Sequence, residues 1–337
     1  MKASYYTKYG SPDVLEFKDI SKPQVKEKEL LIKVCATTVN RTDGAMLKAD
    51  LWIMRLLTGI GSPRNPVLGT DFAGIIEEVG SKVTRYKVGD KVFGFDDMGV
   101  SSHAEYLCIS EHKAIGHIHP PMSYSEAAAL MEGAHYAYNF INKIDIKEGD
   151  KILVNGGTGA IGSAAIQLLV HYGAVITATC RGQHKDLVME LGATKAIDYE
   201  KEDFTETNEE YNYVFDMVGK STFGECKKIL KPGGIYLSSE LGPYAQNAFL
   251  AIFGILSNGK KVKFPFPSNT QASINIINQL AKQGAFKPVI EKVFPFDQIK
   301  EAFDYVLTGK KVGNIVIKMK EDNSTENLFK PSDTNNP

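Results

Sequence analysis

Short apolar runs separated by turn-forming residues fill the first 120 residues of the chain. The runs 30–34 and 74–79 are flanked by Gly, Pro, Asp or Ser, which break regular structure, and similar turn signals recur at 10–13 and 62–66. Short apolar runs bounded in this way are typical of β-strands. The pattern predicts an irregular β-barrel over this region.

The hydrophobic pattern changes near residue 120. Pro120 and Pro121 interrupt the chain, and Ser123 and Glu126 have the spacing of a capping box ahead of an apolar run over 127–141. A capping box in front of an apolar run marks the start of a helix. We therefore expect a helix over this run.

From residue 151 onward, segments with strand character alternate with segments with helical character. Helices that end near residues 172 and 191 separate the first predicted strands. The predicted strands are 151–155, 174–180, 213–217 and 234–238. This alternation predicts right-handed βαβ units in a parallel sheet.

The C-terminal third of the chain predicts a few further elements. The segment 261–264, with alternating lysines, is either a last edge strand or a strand that pairs with a second subunit. Helices are predicted over 273–283 and 295–306, and a strand over 314–318. The polar segment 321–337 is predicted to be a disordered tail.

The charge balance excludes several classes of partner. The 337 residues include 39 Lys+Arg and 40 Asp+Glu, a formal net charge of −1, so we expect neither nucleic acid nor an anionic membrane surface. The longest apolar run, 248–256, is too short to span a bilayer. The first residues lack the apolar stretch of a secretory signal, so we expect a cytoplasmic protein. The four cysteines contain no Cys-x-x-Cys pair, which argues against a disulfide framework and a zinc ribbon.

A glycine-rich segment between a predicted strand and a predicted helix carries the strongest chemical signal. Its G-x-G-x-x-G pattern places glycines where a tight turn, a close approach to a pyrophosphate and close helix–strand packing need them. The helix that follows directs its N-terminus at the phosphates. The predicted dinucleotide-binding residues of this motif are Gly157, Thr158, Gly159, Ala160, Ile161 and Gly162.

The end of the next strand favours NADPH over NADH. An acidic residue there would bind the ribose 2′-hydroxyl of NAD, but the strand that contains Thr179 ends at Arg181, with Lys185 one helical turn further on. Two cations are thus available for the 2′-phosphate of NADP. The alternative is that both are simply solvated at a helix start. Thr179, on the same strand, is also predicted to bind the cofactor.

Several sequence blocks together resemble the medium-chain dehydrogenase/reductase superfamily. The resemblance implies an α/β fold: a GroES-like irregular β-barrel catalytic domain and a Rossmann domain with a doubly wound parallel sheet. It predicts a catalytic domain of residues 1–121 and 268–320, a cofactor domain of residues 122–267, and a homodimer. The blocks that carry it, in family order, are 39–43, 67–74, 88–92, 191–193 and 230–234.

The chain departs from the zinc alcohol dehydrogenases of that superfamily at each catalytic zinc ligand. Asn40 and Thr70 stand where a cysteine and a histidine would be, and the third ligand position falls near Glu132. Asn and Thr are poor zinc ligands. The four-cysteine structural lobe is also missing, so the chain resembles the zinc-free quinone oxidoreductase branch.

The resemblance also assigns residues around the nicotinamide and the adenosine. Asn40 is expected to be a polar group beside the nicotinamide and the substrate, or else a buried loop residue. Tyr136 stands where relatives often carry Thr beside the nicotinamide, or else belongs to a helix core. Asn314 replaces the lysine common in the terminal block of the family. The remaining expected contacts lie at the adenosine 2′-phosphate and at the ends of later strands: Tyr199, Val218, Leu241 and Gly242.

Two alternative clusters are weaker. Cys108, His112, His117 and His119 are close in sequence and contain metal-ligating types, but their spacing fits a connecting strand, so no metal is predicted. His135 with three carboxylates could form an acidic site, although these carboxylates resemble structural polar residues of the family. The carboxylates are Asp43, Asp71 and Glu132.

These observations predict an NADPH-dependent, zinc-independent oxidoreductase that transfers hydride to a quinone or an α,β-unsaturated carbonyl. Conjugated acceptors delocalise the developing charge, so hydrogen-bond donors can replace a Lewis acid. The apolar segment 52–57 lies where the family has its substrate loop, which fits an apolar acceptor. The alternatives are an alcohol dehydrogenase-type oxidoreductase of the same superfamily and a non-catalytic NADPH-binding sensor or structural protein.

Overall fold

A computed structural model describes residues 1–50, 52–238, 247 and 259–320. The strands are β1 Lys2–Tyr5, β2 Glu16–Asp19, β3 Glu29–Val39, β4 Asp71–Val79, β5 Lys91–Phe95, β6 Tyr106–Ser110, β7 Ile115–His117, β8 Lys151–Asn155, β9 Val175–Cys180, β10 Lys195–Asp198, β11 Tyr211–Asp216, β12 Leu230–Ser238, β13 Lys261–Lys263, β14 Ile290–Pro295 and β15 Asn314–Lys318. The helices are α1 Arg41–Lys48, α2 Trp52–Thr58, α3 Tyr124–Ala128, α4 Glu132–Ile141, α5 Ala160–His171, α6 Lys185–Glu190, α7 Phe223–Cys226, α8 Thr270–Lys282 and α9 Ile299–Leu307.

The central part of the chain forms a parallel sheet of six strands in the order β10-β9-β8-β11-β12-β13. Its strands are apolar and largely buried because helices cover the sheet. Strand order reverses between β8 and β11, and at such a switch point ligands bind beyond the carboxyl ends of the strands. The predicted α/β fold with a doubly wound parallel sheet is confirmed.

The N-terminal strands form a second, mainly antiparallel sheet in the order β14-β15-β3-β4-β5-β7, with β6 paired to β3. Strand β15 comes from the end of the described chain and pairs antiparallel with β3. The chain therefore returns to its first sheet after completing the parallel one. This is the predicted GroES-like arrangement.

Two close contacts fix the position of α5 and of the glycine-rich segment before it. Gly133 on α4 lies so near the first turn of α5 that a Cβ there would stand 2.4 Å from the carbonyl oxygen of Ala160. The backbone N–H of Gly313, just before β15, donates to the carbonyl oxygen of Thr158 at 2.7 Å. The glycine-rich segment is thus held between the parallel sheet and the returning C-terminal strand.

The predicted elements differ from the structure in a few places. The apolar run 127–141 forms two helices, α3 and α4, rather than one. Strand β14 was not predicted, because most of its side chains are exposed and give no clear apolar alternation. The predicted edge strand at 261–264 is confirmed as β13, which pairs parallel with β12.

The predicted disordered tail 321–337 and the apolar run 248–256 lie outside the described residues. Within the described ranges, the helices are too short or too polar for any of them to cross a membrane.

Candidate nucleotide and substrate site

The glycine-rich segment forms a tight loop between β8 and α5. A Cβ at Gly162 would stand 2.1 Å from the carbonyl oxygen of Gly156, so this position requires glycine. A Cβ at Gly157 would meet the Ala178 side chain at 3.0 Å, so this position leaves little room for a larger residue. At Gly159 the nearest atom to such a Cβ is 3.7 Å away, so this glycine leaves open space above the loop. Gly159 is also the N-cap of α5 and has no side chain to cap the helix. The free N–H groups of this helix end face the space that a pyrophosphate needs.

Buried side chains support the loop from below. The Thr179 hydroxyl donates to the Asn155 side-chain oxygen at 2.7 Å and accepts from the Gly156 backbone N–H at 2.9 Å. Thr179 is fully buried, so the structure places this predicted cofactor residue beneath the loop, where it fixes the loop's shape. Thr158 and Ile161 lie on the loop and on the first turn of α5, and both are half-buried.

Asp216 holds the neighbouring strand end in place. Its buried carboxylate accepts hydrogen bonds from the backbone N–H groups of Val218 and Gly219 at 3.3 and 3.0 Å. It also accepts one from the Tyr236 hydroxyl at 3.0 Å. This turn places Val218 directly over Gly156, where a Cβ on the glycine would come within 2.4 Å of it. Val218 therefore borders the predicted cofactor site, whereas Leu241 and Gly242 lie outside the described residues.

The structure brings the two predicted adenosine-side residues together. Arg181 Nε donates to the Tyr199 hydroxyl at 3.1 Å, although 18 residues separate them. Each predicted cation also has a carboxylate neighbour: Glu200 lies 3.2 Å from Arg181 Nε, and Glu202 lies 3.9 Å from Lys185 Nζ. All of these side chains are substantially exposed, so the ion pairs are weak and can rearrange.

Asn40 is the N-cap of α1. Its side-chain oxygen accepts from the Asp43 backbone N–H at 3.0 Å, and the Asp43 carboxylate accepts from the Asn40 backbone N–H at 3.1 Å, which completes a capping box. The Asn40 amide nitrogen donates to the Thr70 hydroxyl at 2.7 Å. Asn40 is only 2% exposed. Asn40, which was predicted to lie beside the nicotinamide, thus has a hydrogen-bond partner for both its side-chain oxygen and its side-chain nitrogen.

Two buried aspartates lie beside Asn40. The Asp71 carboxylate accepts from the Thr38 backbone N–H at 2.7 Å and from the Thr38 hydroxyl at 2.5 Å. Burial nevertheless raises the pKa of Asp71 to about 7, and burial together with the nearby Asp71 charge raises the pKa of Asp43 well above its usual value. Burial therefore favours the neutral form of both carboxyls.

His103 completes this buried network. Its Nε2 lies 2.8 Å from the carbonyl oxygen of Thr38, which can accept only if Nε2 carries a proton. Burial lowers the pKa of His103 to about 4, so the ring is neutral at neutral pH. Its Nδ1 and the Asp43 Oδ1 are buried without a hydrogen-bond partner among the described residues.

Tyr136 lies on α4, three residues after Gly133, and so shares the helix face that meets α5. Its hydroxyl donates to Asp97 Oδ1 at 2.8 Å. The neighbouring His135 is fully buried, and its Nδ1 lies 2.8 Å from the Ser273 hydroxyl. Burial lowers the pKa of His135 to about 4. Tyr136 is thus half-buried: its ring packs against the hydrophobic core, and its hydroxyl is bonded to the loop that follows β5.

Glu132 and Lys311 approach one another at the start of α4. Glu132 is buried, which raises the pKa of its carboxyl, while the charges of Lys311 and Arg41 oppose that rise. Lys311 Nζ donates to the carbonyl oxygen of Gly313 at 2.5 Å. Asn314, which stands where the family usually has lysine, is buried and donates to the Val289 carbonyl oxygen at 3.0 Å. A positively charged side chain therefore lies at this junction, but it belongs to Lys311 and not to residue 314.

The residues at the zinc-ligand positions do not fit a zinc ion. The Asn40 amide and the Thr70 hydroxyl are buried and bonded to each other, and Glu132 lies among cationic side chains. Zinc prefers thiolate, imidazole or carboxylate ligands. Across residues 1–50, 52–238, 247 and 259–320, no group of three or more His, Cys, Asp or Glu side chains could hold a metal ion. The sequence cluster around Cys108 and His112 is not such a group.

The sequence analysis missed two functional candidates: Asp97 and Lys311. Asp97 carries no motif, and only the fold shows that its loop meets Tyr136. The capping box of Asn40 was visible as Asn40 followed three residues later by Asp43. That signal predicts the cap that the structure shows, but not its burial.

Two family models match the chain. The alcohol dehydrogenase GroES-like domain matches residues 26–135, and the zinc-binding dehydrogenase model matches residues 191–317. The first of these regions contains β3–β7 of the antiparallel sheet, and the second contains β10–β13 of the parallel sheet and the strands with which the chain returns to the antiparallel one.

Curated relatives and solved structures agree with these matches. The chain is 34% identical to the 2-methylene-furan-3-one reductase of Solanum lycopersicum, over 94% of this chain and 79% of that protein. It is 32% identical to the chloroplastic NADPH-dependent alkenal/one oxidoreductase of Arabidopsis thaliana, with the same coverage. The quinone oxidoreductase structure from Coxiella burnetii superimposes with a TM-score of 0.83 at 25% identity, over 95% of this chain and 99% of that one. The chain therefore belongs to the medium-chain dehydrogenase/reductase superfamily of NAD(P)H oxidoreductases, in its quinone oxidoreductase-like branch.

Proposed function

We propose that this protein is an NADPH-dependent, zinc-independent reductase that transfers hydride to a quinone or to the carbon–carbon double bond of an α,β-unsaturated carbonyl. The observation that carries the proposal is the combination of a fitted dinucleotide loop with residues at the zinc-ligand positions that cannot bind zinc. The names of the tomato and Arabidopsis relatives, an enone reductase and an alkenal/one oxidoreductase, agree with this acceptor class.

The glycine-rich loop fits the pyrophosphate of a nicotinamide dinucleotide. Its residues 157–162 leave backbone N–H groups and open space at Gly159, while Thr179 and Val218 shape the loop from either side. When bound, the reduced nicotinamide supplies a hydride to the acceptor. The chain's own contribution is to hold the cofactor and to align the acceptor with it.

The preference for NADPH rests on the adenosine side. Arg181 and Tyr199 lie together, with Lys185 close by in sequence, and a bidentate guanidinium suits the 2′-phosphate. Glu200 and Glu202 hold these cations when no phosphate is present. A phosphate that carries close to two negative charges competes well with an exposed carboxylate for the same cation.

The acceptor is expected to lie in the cleft beside Tyr136 and the Asn40 network. No Lewis acid is available from the residues at the zinc-ligand positions, so the developing oxyanion must be stabilised by hydrogen-bond donors. An enolate or a hydroquinone spreads this charge, whereas the alkoxide formed from a simple ketone does not. Trp52 and Leu56, one helical turn apart on α2, are 72% and 48% exposed and could form an apolar wall for the acceptor.

The same proposal includes the organisation of the chain. Residues 1–121 and 268–320 would form the substrate domain, and residues 122–267 the cofactor domain. A homodimer is favoured by β13, a short lysine-rich strand that pairs with β12 and could extend into a second copy. A cytoplasmic location is consistent with four cysteines that are all free thiols.

The experiment is to follow NADPH and NADH oxidation with a panel of quinones, enals, enones and saturated aldehydes, before and after treatment with a chelator. We expect consumption of NADPH, much slower consumption of NADH, activity confined to conjugated acceptors, and no effect of chelation. Activity that is lost on chelation, or that is equal on saturated aldehydes, would contradict the proposal. Tight NADPH binding without turnover would instead favour a sensor or structural role.

A further inference from the structure

We infer that Asp97 and Tyr136 form a proton-delivery pair, in which the Tyr136 hydroxyl protonates the reduced acceptor and Asp97 replaces the tyrosine proton. This inference rests on the proposed function, because it names the group that completes reduction of the same acceptor. The glycine-rich motif and the resemblance to the family do not include Asp97.

The pair is built from three separate parts of the chain. Tyr136 comes from α4, Asp97 from the loop after β5, and the Thr42 hydroxyl from α1 also hydrogen bonds the tyrosine oxygen. While Asp97 is ionised, Tyr136 donates to it, and burial together with the Asp97 charge raises the pKa of Tyr136. Once Asp97 is protonated, its O–H donates to the tyrosine oxygen instead, and the tyrosine proton is free to face the acceptor. A tyrosine that only filled a helix core would not be bonded at its hydroxyl by two polar groups from the other half of the molecule.

The pair lies where proton delivery is needed. Thr42 is two residues from Asn40, and Tyr136 shares a helix face with Gly133, which lies against the first turn of α5. The Tyr136 hydroxyl is thus enclosed between the barrel and the helix that begins at the dinucleotide loop. The Asp97 side chain is 30% exposed, so it can exchange protons with solvent.

The chemistry balances with the groups present. Hydride addition to the β-carbon moves the pair of electrons of the carbon–carbon double bond toward the carbonyl and leaves an enolate. The Tyr136 O–H bond breaks as its proton goes to the α-carbon. The tyrosine oxygen takes the proton of the Asp97 carboxyl, and the resulting carboxylate is reprotonated by solvent. No further oxidant or reductant is required.

The charged groups around Asp97 favour its acting as an acid. Burial and the neighbouring Asp96 raise the pKa of Asp97, whereas the hydrogen bond from Tyr136 lowers it. From α4, His135 Nε2 lies 3.9 Å from Asp97 Oδ2 but is neutral at neutral pH, and Glu132 adds a negative charge to the surroundings. Asp96 is itself paired with Lys113 at 2.6 Å. A carboxyl whose pKa is raised keeps its proton closer to neutral pH.

The test compares Tyr136→Phe and Asp97→Asn with the matched control Asp96→Asn, all at equal NADPH saturation with an enone acceptor. We expect Tyr136→Phe to lower kcat about a hundredfold with little change in KM. Asp97→Asn should lower kcat about tenfold and abolish the fall in kcat that the wild type shows as pH rises through the Asp97 pKa. Asp96→Asn should keep the wild-type kcat at low pH and only move its fall to slightly lower pH, because the Asp96 charge raises the pKa of Asp97. Circular dichroism checks that each near-isosteric variant folds.

A second readout needs no turnover. The carboxyl of Asp97 is titrated by carbon NMR in the protein without cofactor or acceptor. Since the Tyr136 hydrogen bond lowers the pKa of Asp97, Tyr136→Phe should raise it, and Asp96→Asn should lower it. An unchanged titration in Tyr136→Phe would show that the pair does not exist.

The outcomes separate this inference from the proposed function. A wild-type protein that reduces conjugated acceptors, with variants that match its kcat and pH profile, overturns the proton-delivery pair and leaves the proposed function standing. A wild-type protein that reduces no acceptor overturns both. Loss of kcat in Asp97→Asn with an unchanged pH profile would also contradict proton delivery, because it would indicate a structural role only.

Discussion

The dinucleotide loop and the cleft around Asn40 are neighbours, but the loop is formed by backbone groups and the cleft by side chains. The loop is made of consecutive residues, and its function depends on backbone N–H groups and on the absence of side chains at Gly157, Gly159 and Gly162. The cleft is made of side chains that come from α1, β4, the loop after β5 and α4, and its polar groups are bonded to one another. The loop depends on the absence of side chains, whereas the cleft depends on the arrangement of polar side chains.

This difference explains how each region tolerates change. In the loop, an added methyl group either meets backbone or enters the space for a ligand, so effects are local and steric. In the cleft, a substitution disturbs a network of hydrogen bonds whose members are far apart in sequence. We therefore expect loop variants to change cofactor affinity and cleft variants to change pH dependence.

Gly162→Ala tests the steric account of the loop and is expected to have the largest effect. The new Cβ would stand 2.1 Å from the Gly156 carbonyl oxygen, so the loop must move. We expect a loss of about 3 kcal/mol in the free energy of unfolding and a rise of more than about a hundredfold in the NADPH Kd. Thermal unfolding and fluorescence titration measure both. In the control Gly159→Ala, the methyl enters open space, so stability should be unchanged while the Kd rises about tenfold. Equal stability of the two variants would contradict the steric account.

His135→Gln tests the cleft through pH. The pKa of His135 is about 4 in the folded protein against an ordinary 6.5, so the unfolded chain binds a proton first as pH falls. His135 therefore makes the free energy of unfolding decrease from pH 6.5 to about 4, by at most about 3 kcal/mol. The variant should lose part of this decrease, measured by denaturant unfolding at several pH values. An unchanged slope would contradict the burial of a neutral ring.

Asp71→Asn provides a second test, because Asp71 changes the pH dependence of stability in the opposite direction to His135. The folded pKa of Asp71 is about 7 against an ordinary 3.8, so the folded protein holds a proton that the unfolded chain has released. This group makes stability fall as pH rises from about 4 to about 7. Removing it should make the net increase in stability over that window steeper. Both variants shifting the slope in one direction would be inconsistent with these charges.

Arg181→Ala tests the adenosine side of the cofactor site. Loss of the guanidinium should raise the Kd for NADPH about tenfold and leave that for NADH nearly unchanged. Glu200→Gln removes the carboxylate 3.2 Å from Arg181 and should tighten NADPH binding a few-fold. Both are measured by fluorescence titration. Equal weakening of the two cofactors in Arg181→Ala would mean that Arg181 does not contact the 2′-phosphate.

The smallest expected effect separates the two roles of Asn40. Asn40→Ser keeps an oxygen that can cap α1 but loses the amide that donates to Thr70. We expect a loss below about 1 kcal/mol in the free energy of unfolding, whereas Asn40→Ala should lose about 1 kcal/mol or more. Steady-state kinetics then show whether Asn40 also acts in the reaction: a fall in kcat for Asn40→Ser without a matching loss of stability indicates a contact with the substrate or cofactor. Equal stability of the two variants would argue against the cap.

The loop could be predicted from the sequence, whereas the cleft could be predicted only in part. Strand and helix alternation and the spacing of Gly157, Gly159 and Gly162 are local signals, so the fold class and the loop were accessible. Arg181 and Tyr199 were each expected near the adenosine 2′-phosphate, Arg181 from the end of its strand and Tyr199 from the family resemblance, but their hydrogen bond to each other needs the fold. The Asp97–Tyr136 pair depends on where a barrel loop meets a helix 39 residues later, and no local pattern encodes that contact. The burial of Asn40 also needs the fold, since only packing shows that its amide meets Thr70.

The central claim is that the enzyme reduces a conjugated double bond rather than a carbonyl. The most direct measurement is the identity of the product when an enone is incubated with NADPH and chelator-treated protein, determined by mass spectrometry and NMR. The account predicts the saturated ketone, with the hydride on the β-carbon and a solvent proton on the α-carbon. Formation of the allylic alcohol would contradict it.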